Sequence, residues 1–317
     1  MPVVLGIDIA KAKFDAVLLS GGKARHRTFD NDDSGFEGLI GWLGKVEAGS
    51  LHACMEATGG YGDDLALFLH EQGHRVSIVN PARIKAFGQS EGVRTKTDKV
   101  DAGVIARFCR AHEPEPWTPP TPRMRELRAL VRRCAALKEM RIKELQRRSH
   151  GSASALVRRS IEQSIRRLDD EIAAISTAVA ELIDGDEHLC RSRKLLLSIP
   201  GIGPQSAAIL LAEIPDFKAF GHNKQISAFA GLSPQEHTSG SSVRGKTRVS
   251  KAGNPRLRAA LYMCALSARR ANPTLKAFGD RLKDAGKPPK VVLVAVARKL
   301  LVIAYGVIKS QRPFQLA

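Results

Sequence analysis

The chain has 317 residues, 43% of them hydrophobic, and carries 50 Lys and Arg against 32 Asp and Glu, a formal charge of +18. That length and apolar content exclude a disordered tail and allow two or three domains with real cores. The charge points to a polyanionic partner, most often nucleic acid; against a membrane, the one long apolar run, 291–308, has Arg298-Lys299 at its centre and reads as a buried core helix.

Met1-Pro2 leads at once into a strand-like segment containing Asp8, so no secretory leader is expected. The cysteines Cys54, Cys109, Cys134, Cys190 and Cys264 form no C-x-x-C pair, which fits a reduced, cytoplasmic protein without a zinc or disulfide framework. Residues 3–10 are a near-continuous apolar run, typical of a central strand, broken only by Gly6 and Asp8. Strands over 14–20 and 25–29 follow around the turn Gly21-Gly22, giving an antiparallel meander. Ser34 is the predicted N-cap of a helix over 36–46. A strand over 51–56 ends in Glu56; Gly59, Gly60 and Gly62 then turn the chain into a helix bearing Leu65, Phe68 and Leu69. A strand over 75–79 stops at Asn80-Pro81, and a short helix over 82–87 leads to the segment 93–108. There Val100, Val104, Ile105 and Phe108 recur at helical spacing, so Asp98 and Asp101 lie on one face of one helix. Either aspartate also suits the first turn of a helix, with Thr97 or Asp98 as the cap. The pattern predicts a mixed α/β sheet covered by helices.

Residues 113–122 hold five prolines and read as a stiff linker between domains. Beyond it Met124, Leu127, Val131, Cys134 and Leu137 mark a helical stripe. After a break near 149–154, Ile161, Ile165, Leu168, Ile172, Ile175, Val179 and Leu182 alternate spacings of four and three, a heptad seam. A long antiparallel coiled-coil hairpin is expected, and the seam could also recruit a second chain. From Arg123 to Leu168 fourteen Lys and Arg face four acidic residues, which favours an arm that contacts phosphate over a merely solvated face. Over 194–214 two apolar helical segments flank Pro200-Gly201-Ile202-Gly203; this resembles the helix-hairpin-helix module, which grips phosphate through free amides. Past Gly231-Leu232-Ser233-Pro234 comes a small polar loop over 238–242, then Arg244, Lys246, Arg248 and Lys251 ahead of a helix with Arg256 and Arg258. No acidic residue lies between Ser239 and Met263. A serine within such fixed positive charge is well placed to attack a phosphodiester, although serines in such loops are commonly mere linkers.

Asp8 sits in an apolar strand, where an uncompensated charge would cost several kcal/mol. Glu56 ends the strand that a right-handed crossover would lay beside the first. If the helix of Asp98 and Asp101 packs across that sheet, four carboxylates converge; they need cations, and hard oxygen ligands favour Mg²⁺ or Mn²⁺. In a basic protein, two-metal phosphodiester chemistry follows.

The motifs Gly6-Ile-Asp8-Ile-Ala-Lys11, Glu56-Ala-Thr-Gly59, Asn80-Pro81, Lys96-Thr-Asp98-Lys-Val-Asp101-Ala, Pro200-Gly-Ile-Gly203, Gly231-Leu-Ser-Pro234, Ser239-Gly240 and Lys251-Ala-Gly-Asn254 followed by Leu257-Arg258, in this order, resemble those of the IS-one-ten family of insertion-sequence transposases, the DEDD transposases. The resemblance covers almost the whole chain. It implies a RuvC-like (RNase H-like) α/β amino-terminal domain over 1–112, the linker over 113–122, a coiled-coil arm over 123–185 and a mainly helical carboxy-terminal transposase domain over 186–317. It implies a metal site of Asp8, Glu56, Asp98 and Asp101, and a serine, here Ser239, that becomes covalently linked to DNA phosphate. A register in which Ser241 attacks stays open, and Ala252 stands where the family often has a basic residue. Gly201, Gly203, Arg244, Lys246, Arg248, Lys251, Arg256 and Arg258 are the expected nucleic-acid contacts. The expected partners are DNA, a bridge RNA that pairs with donor and target DNA, and further copies of the chain in a dimer or tetramer. Two other readings compete: a RuvC-like junction endonuclease that uses water, and a non-catalytic nucleic-acid-binding scaffold.

Overall fold

The computed structural model describes residues 3–45, 50–57, 60–95, 97–152, 154–214, 216–239 and 243–315, with the backbone alone described at 236–239 and 243–247. The chain divides into two compact units, Met1–Pro119 and Pro120–Ala317.

The first unit is built on a five-stranded sheet in the order β3-β2-β1-β4-β5. Strands β1 (Val4–Ile9), β2 (Lys13–Ser20) and β3 (Lys23–Asp30) form the expected antiparallel meander, while β4 (His52–Glu56) and β5 (Arg75–Val79) run parallel to β1. Because side chains alternate along a strand, Leu5, Ile7 and Ile9 face a core shared with α1 (Asp33–Gly44) and α2 (Asp63–Glu71). Val4 and Cys54 face the opposite core, shared with α3 (Pro81–Ser90) and α4 (Asp98–His112). The centre of the sheet is therefore buried on both sides, which is why β1 reads as a continuous apolar run.

Two helix starts differ from expectation. The cap of α1 is Asp32, whose carboxylate accepts from the Gly35 amide at 2.9 Å and from the Ser34 hydroxyl at 2.8 Å, so Ser34 lies inside the first turn. Asn80-Pro81, read as a strand stop, is also a helix start, with Asn80 accepting from the Ala82 amide and Pro81 in the first turn, where its missing N–H costs nothing. Thr97 caps α4 and puts Asp98 and Asp101 in the first turn. The proline-rich segment is no free spacer at its start. The Trp117 amide donates to the Val76 carbonyl at 2.7 Å, and the Ser77 hydroxyl donates to the carbonyls of Pro114 and Glu115, so these residues lie along β5.

The second unit opens with α5 (Pro122–His150) and α6 (Ala155–Asp184), joined by a short turn. Arg133 pairs with Glu171 and Arg141 with Asp169 across the antiparallel helices. Leu127, Val131, Cys134 and Leu137 are buried on α5, and Ile165, Val179 and Ile183 on α6. The remainder is α7 (Glu187–Leu197), α8 (Pro204–Glu213), α9 (Asn223–Phe229), a two-stranded antiparallel ribbon of β6 (Pro234–Ser239) and β7 (Val243–Val249), then α10 (Pro255–Ala271), α11 (Pro273–Asp284) and α12 (Pro289–Ser310). The ribbon replaces part of the expected polar loop over 238–242. Its strands carry Arg244, Lys246 and Arg248 and lack the apolar alternation by which strands are recognised. By length and composition α12 could cross a membrane, but Val292, Val296, Ala297, Leu300, Leu301 and Ala304 are buried in the core of this unit.

Candidate functional site

Gly6 sets the geometry of the first unit's acidic end. A β-carbon on Gly6 would lie 2.2 Å from both the Ala102 carbonyl oxygen and the Ala106 amide nitrogen, so α4 crosses β1 in direct backbone contact. Asp8, two residues on, shares the face of Gly6; Asp98 lies one turn before Ala102 and Asp101 immediately before it. Ile7 pairs with Met55 in the parallel register, so Glu56 ends β4 beside Asp8. The fold thus brings Asp8, Glu56, Asp98 and Asp101 to the end of the sheet where β1 and β4 terminate, the end at which open α/β sheets usually place their ligands. Among the described residues no three His, Cys, Asp or Glu side chains stand close enough together to hold a metal ion.

Two neighbours escaped the sequence reading. Asp15 lies directly across from Asp8 on β2 and is buried, accepting from His26 Nε2 at 2.6 Å and from the Thr28 hydroxyl at 2.7 Å. Lys13 stands between the acids, its Nζ 3.1 Å from Asp98 Oδ2 and 3.9 Å from Asp15 Oδ2. The hydrogen bond and charge of Asp98 raise the Lys13 ammonium above its ordinary pKa, and Asp15 and Asp8 add to the effect. The Lys13 ammonium offsets the repulsion between Asp98, Asp15 and Asp8. Asp15 carries a signal like that of Asp8, a charge in an apolar strand; its partners come from β3 and become visible only with the strand register.

In the second unit Ser239 pairs with Val243 through the backbone at the far end of the β6–β7 ribbon. Gly59, Lys96, Gly240, Ser241 and Ser242 lie outside the described residues, and for Ser239, Arg244 and Lys246 the backbone alone is described. Arg248, Lys251 and Arg256 are exposed. Arg258 is turned inward, donating to the carbonyls of Ala230 and Lys251, so it holds the turn before α10. Gly201 (φ 107°) is required by packing, since a β-carbon there would meet Ala268 of α10 at 2.5 Å; Gly203, at the start of α8, has open space around it.

Comparison with known proteins places both units. Residues 193–280 match the family model described as "Transposase IS116/IS110/IS902 family", and residues 5–150 match a DEDD-type model described as "Transposase". The chain is 36% identical over 313 residues to the pilin gene-inverting protein of Moraxella bovis, covering 98% of this chain and 97% of that protein. The protein of that name from Moraxella lacunata is equally similar. A putative transposase of Sinorhizobium fredii (strain NBRC 101917 / NGR234) is 26% identical over 97% of this chain and 89% of its own length.

Proposed function

The chain belongs to the IS116/IS110/IS902 family of transposases and is a DNA-recombining enzyme, and from that premise we propose that it cuts and rejoins the ends of an insertion sequence through a serine–DNA intermediate. What supports this reading is that Asp8 and Glu56 end neighbouring parallel strands, and that α4, which carries Asp98 and Asp101 in its first turn, is held against β1 by its contact with Gly6. Those four residues are the proposed ligands of Mg²⁺ or Mn²⁺, since their donors are hard carboxylate oxygens, and an ion would have to draw them closer together than they stand here, where Lys13 pairs with Asp98. A bound ion would supply electrostatic stabilisation of a phosphorane.

The covalent chemistry falls to Ser239. Its oxygen forms a bond to a DNA phosphorus, the phosphorus–oxygen bond to one strand end breaks, and the released deoxyribose hydroxyl takes up the proton. Attack by a hydroxyl of a second strand reverses the step, so the number of phosphodiester bonds is conserved and no external energy source is needed. The Moraxella relatives are named for inverting a pilin gene, an outcome that also demands rejoining. The exposed Arg248, Lys251 and Arg256 and the open start of α8 at Gly203 are the proposed phosphate contacts, in the manner of a helix-hairpin-helix. A charge of +18 suits a bridge RNA as well as DNA. The α5–α6 hairpin, acting as a coiled coil, is the proposed contact between copies in a dimer or tetramer, and a RuvC-like fold is the proposed ancestry of the first unit.

The test is to incubate the protein with DNA carrying its element's ends and look for a protein–DNA adduct that survives denaturation. Wild type should form it, and Ser239→Ala and Asp101→Ala should not. An adduct in Ser239→Ala would remove the serine from its role, and cleavage without any adduct would leave water as the nucleophile. RNA that co-purifies with the protein, once sequenced, tests the guide.

A further inference from the structure

Glu213 ends α8 with its side chain almost wholly buried, 2% exposed. A carboxylate there requires partners, and it has them from two directions. Arg132 of α5 reaches it with Nε at 3.2 Å, and the side-chain amide of Asn254 donates to its other oxygen at 2.7 Å. Burial by itself pushes this carboxyl up; the guanidinium and the amide outweigh it and hold the group below the ordinary glutamate range.

Asn254 is in turn the cap of α10, accepting from the amides of Arg256 and Leu257 at 3.0 Å. Its own amide donates to the Phe229 carbonyl at 2.8 Å, which ties the start of α10 to the end of α9. Gly253 fits against that same end, where a β-carbon would stand 2.4 Å from the Gly231 amide. The Ser250 amide donates to the Ser233 carbonyl at 2.9 Å. Ser233 precedes β6 and Ser250 follows β7, so both feet of the ribbon are anchored in this knot. From there β6 runs six residues to Ser239, about 20 Å at the usual rise of a strand. A two-stranded ribbon is marginal alone, and a small rotation at its foot becomes a displacement of ångströms at its far end.

We infer that Glu213 is a positioning residue for strand cleavage: by clamping Asn254 it fixes the foot of the β6–β7 ribbon and so the place of Ser239. The inference rests on Ser239 being the nucleophile. It also joins the arm helix α5 to that foot, because Arg132 and Asn254 share one carboxylate.

The test uses the full-length protein, duplex DNA with the element's ends, and the rate of denaturation-resistant adduct formation per folded molecule. The double variant E213L/R132M replaces the buried pair with apolar side chains of similar size, a change that folded proteins commonly tolerate. It should melt cooperatively and bind DNA as wild type does, yet form the adduct roughly a hundredfold more slowly, the penalty typical of a reacting group misplaced by about an ångström. Asn254→Ser preserves a helix cap and the Arg132–Glu213 pair but removes the amide that Glu213 grips, and should be slowed alike. Glu213→Gln still offers Asn254 an acceptor and should keep the rate. A wild-type rate in Asn254→Ser or in the double variant overturns the inference, as does a loss in Glu213→Gln equal to theirs. A purely structural role would lower the melting temperature and the folded fraction together, with the rate per folded molecule unchanged. Failure of the serine assignment is distinguishable, since either wild type would then give no adduct or Ser239→Ala would still give one.

Discussion

At Gly6 a β-carbon would meet backbone rather than a movable side-chain end, so Gly6→Ala must push α4 off β1. A cost above about 3 kcal/mol is expected, beyond the usual range for overpacking, and urea unfolding of the variant measures it. Lys13→Met removes the ammonium that Asp98, Asp15 and Asp8 surround. The carboxylates then repel one another unrelieved, so the melting temperature without divalent ions should fall, and added Mg²⁺ should raise it by more than in wild type. Equal Mg²⁺ shifts in the two proteins would exclude the lysine from that balance of charge. Asp8 was legible in the sequence because a charge in a central strand demands an explanation. Lys13 was not, because an exposed lysine after a turn looks like any other until the start of α4 is placed beside it.

Among the elements, the arm separates into two kinds of cation. Near its base Arg123, Arg128 and Arg132 are engaged with the Leu182 carbonyl, the Ala212 carbonyl and Glu213. Farther out, among the described residues, no ion pair or side-chain hydrogen bond engages Lys143, Arg148, Arg159, Arg166 or Arg167. Arg132→Ala should therefore cost about 3–5 kcal/mol in chemical denaturation, because it strands a buried carboxylate. Replacing Arg148, Arg159, Arg166 and Arg167 together with alanine should leave stability unchanged and flatten the salt dependence of nucleic-acid binding, by about 0.9 in the logarithmic slope for each phosphate that is no longer neutralised. An unchanged slope would mean that the outer arm touches no phosphate. The apolar stripe of α5 was readable from spacing alone, since Leu127, Val131, Cys134 and Leu137 are buried where periodicity puts them; of the residues spaced in heptads on α6, Ile165 and Val179 are buried. The β6–β7 ribbon was not, because its pairing is made by the backbone and its side chains are those of a solvated loop.

Over the whole molecule, each unit has its own apolar core, so unfolding monitored by heat or urea should show more than one transition. Gly6→Ala should then move the transition of Met1–Pro119 and leave the other in place; a single transition that shifts as a whole would show that the units unfold together. The layout of strands and helices in the first unit followed from apolar runs and turn residues, and Thr97 was among the caps that local sequence offered, whereas the docking of Trp117 depended on atoms brought together only by the fold. That docking has a consequence for the molecule at high concentration. A five-stranded sheet ends in two rows of unused peptide groups, which are templates for pairing with the next molecule. On β5 the Trp117 amide already occupies the Val76 carbonyl, and the segment from Pro114 to Trp117 lies along the edge that a neighbour would need. On β3 the exposed Lys23, Arg25 and Arg27 surround the open edge with like charge, so a second copy approaching strand to strand is repelled before it can add to the sheet and begin a fibre.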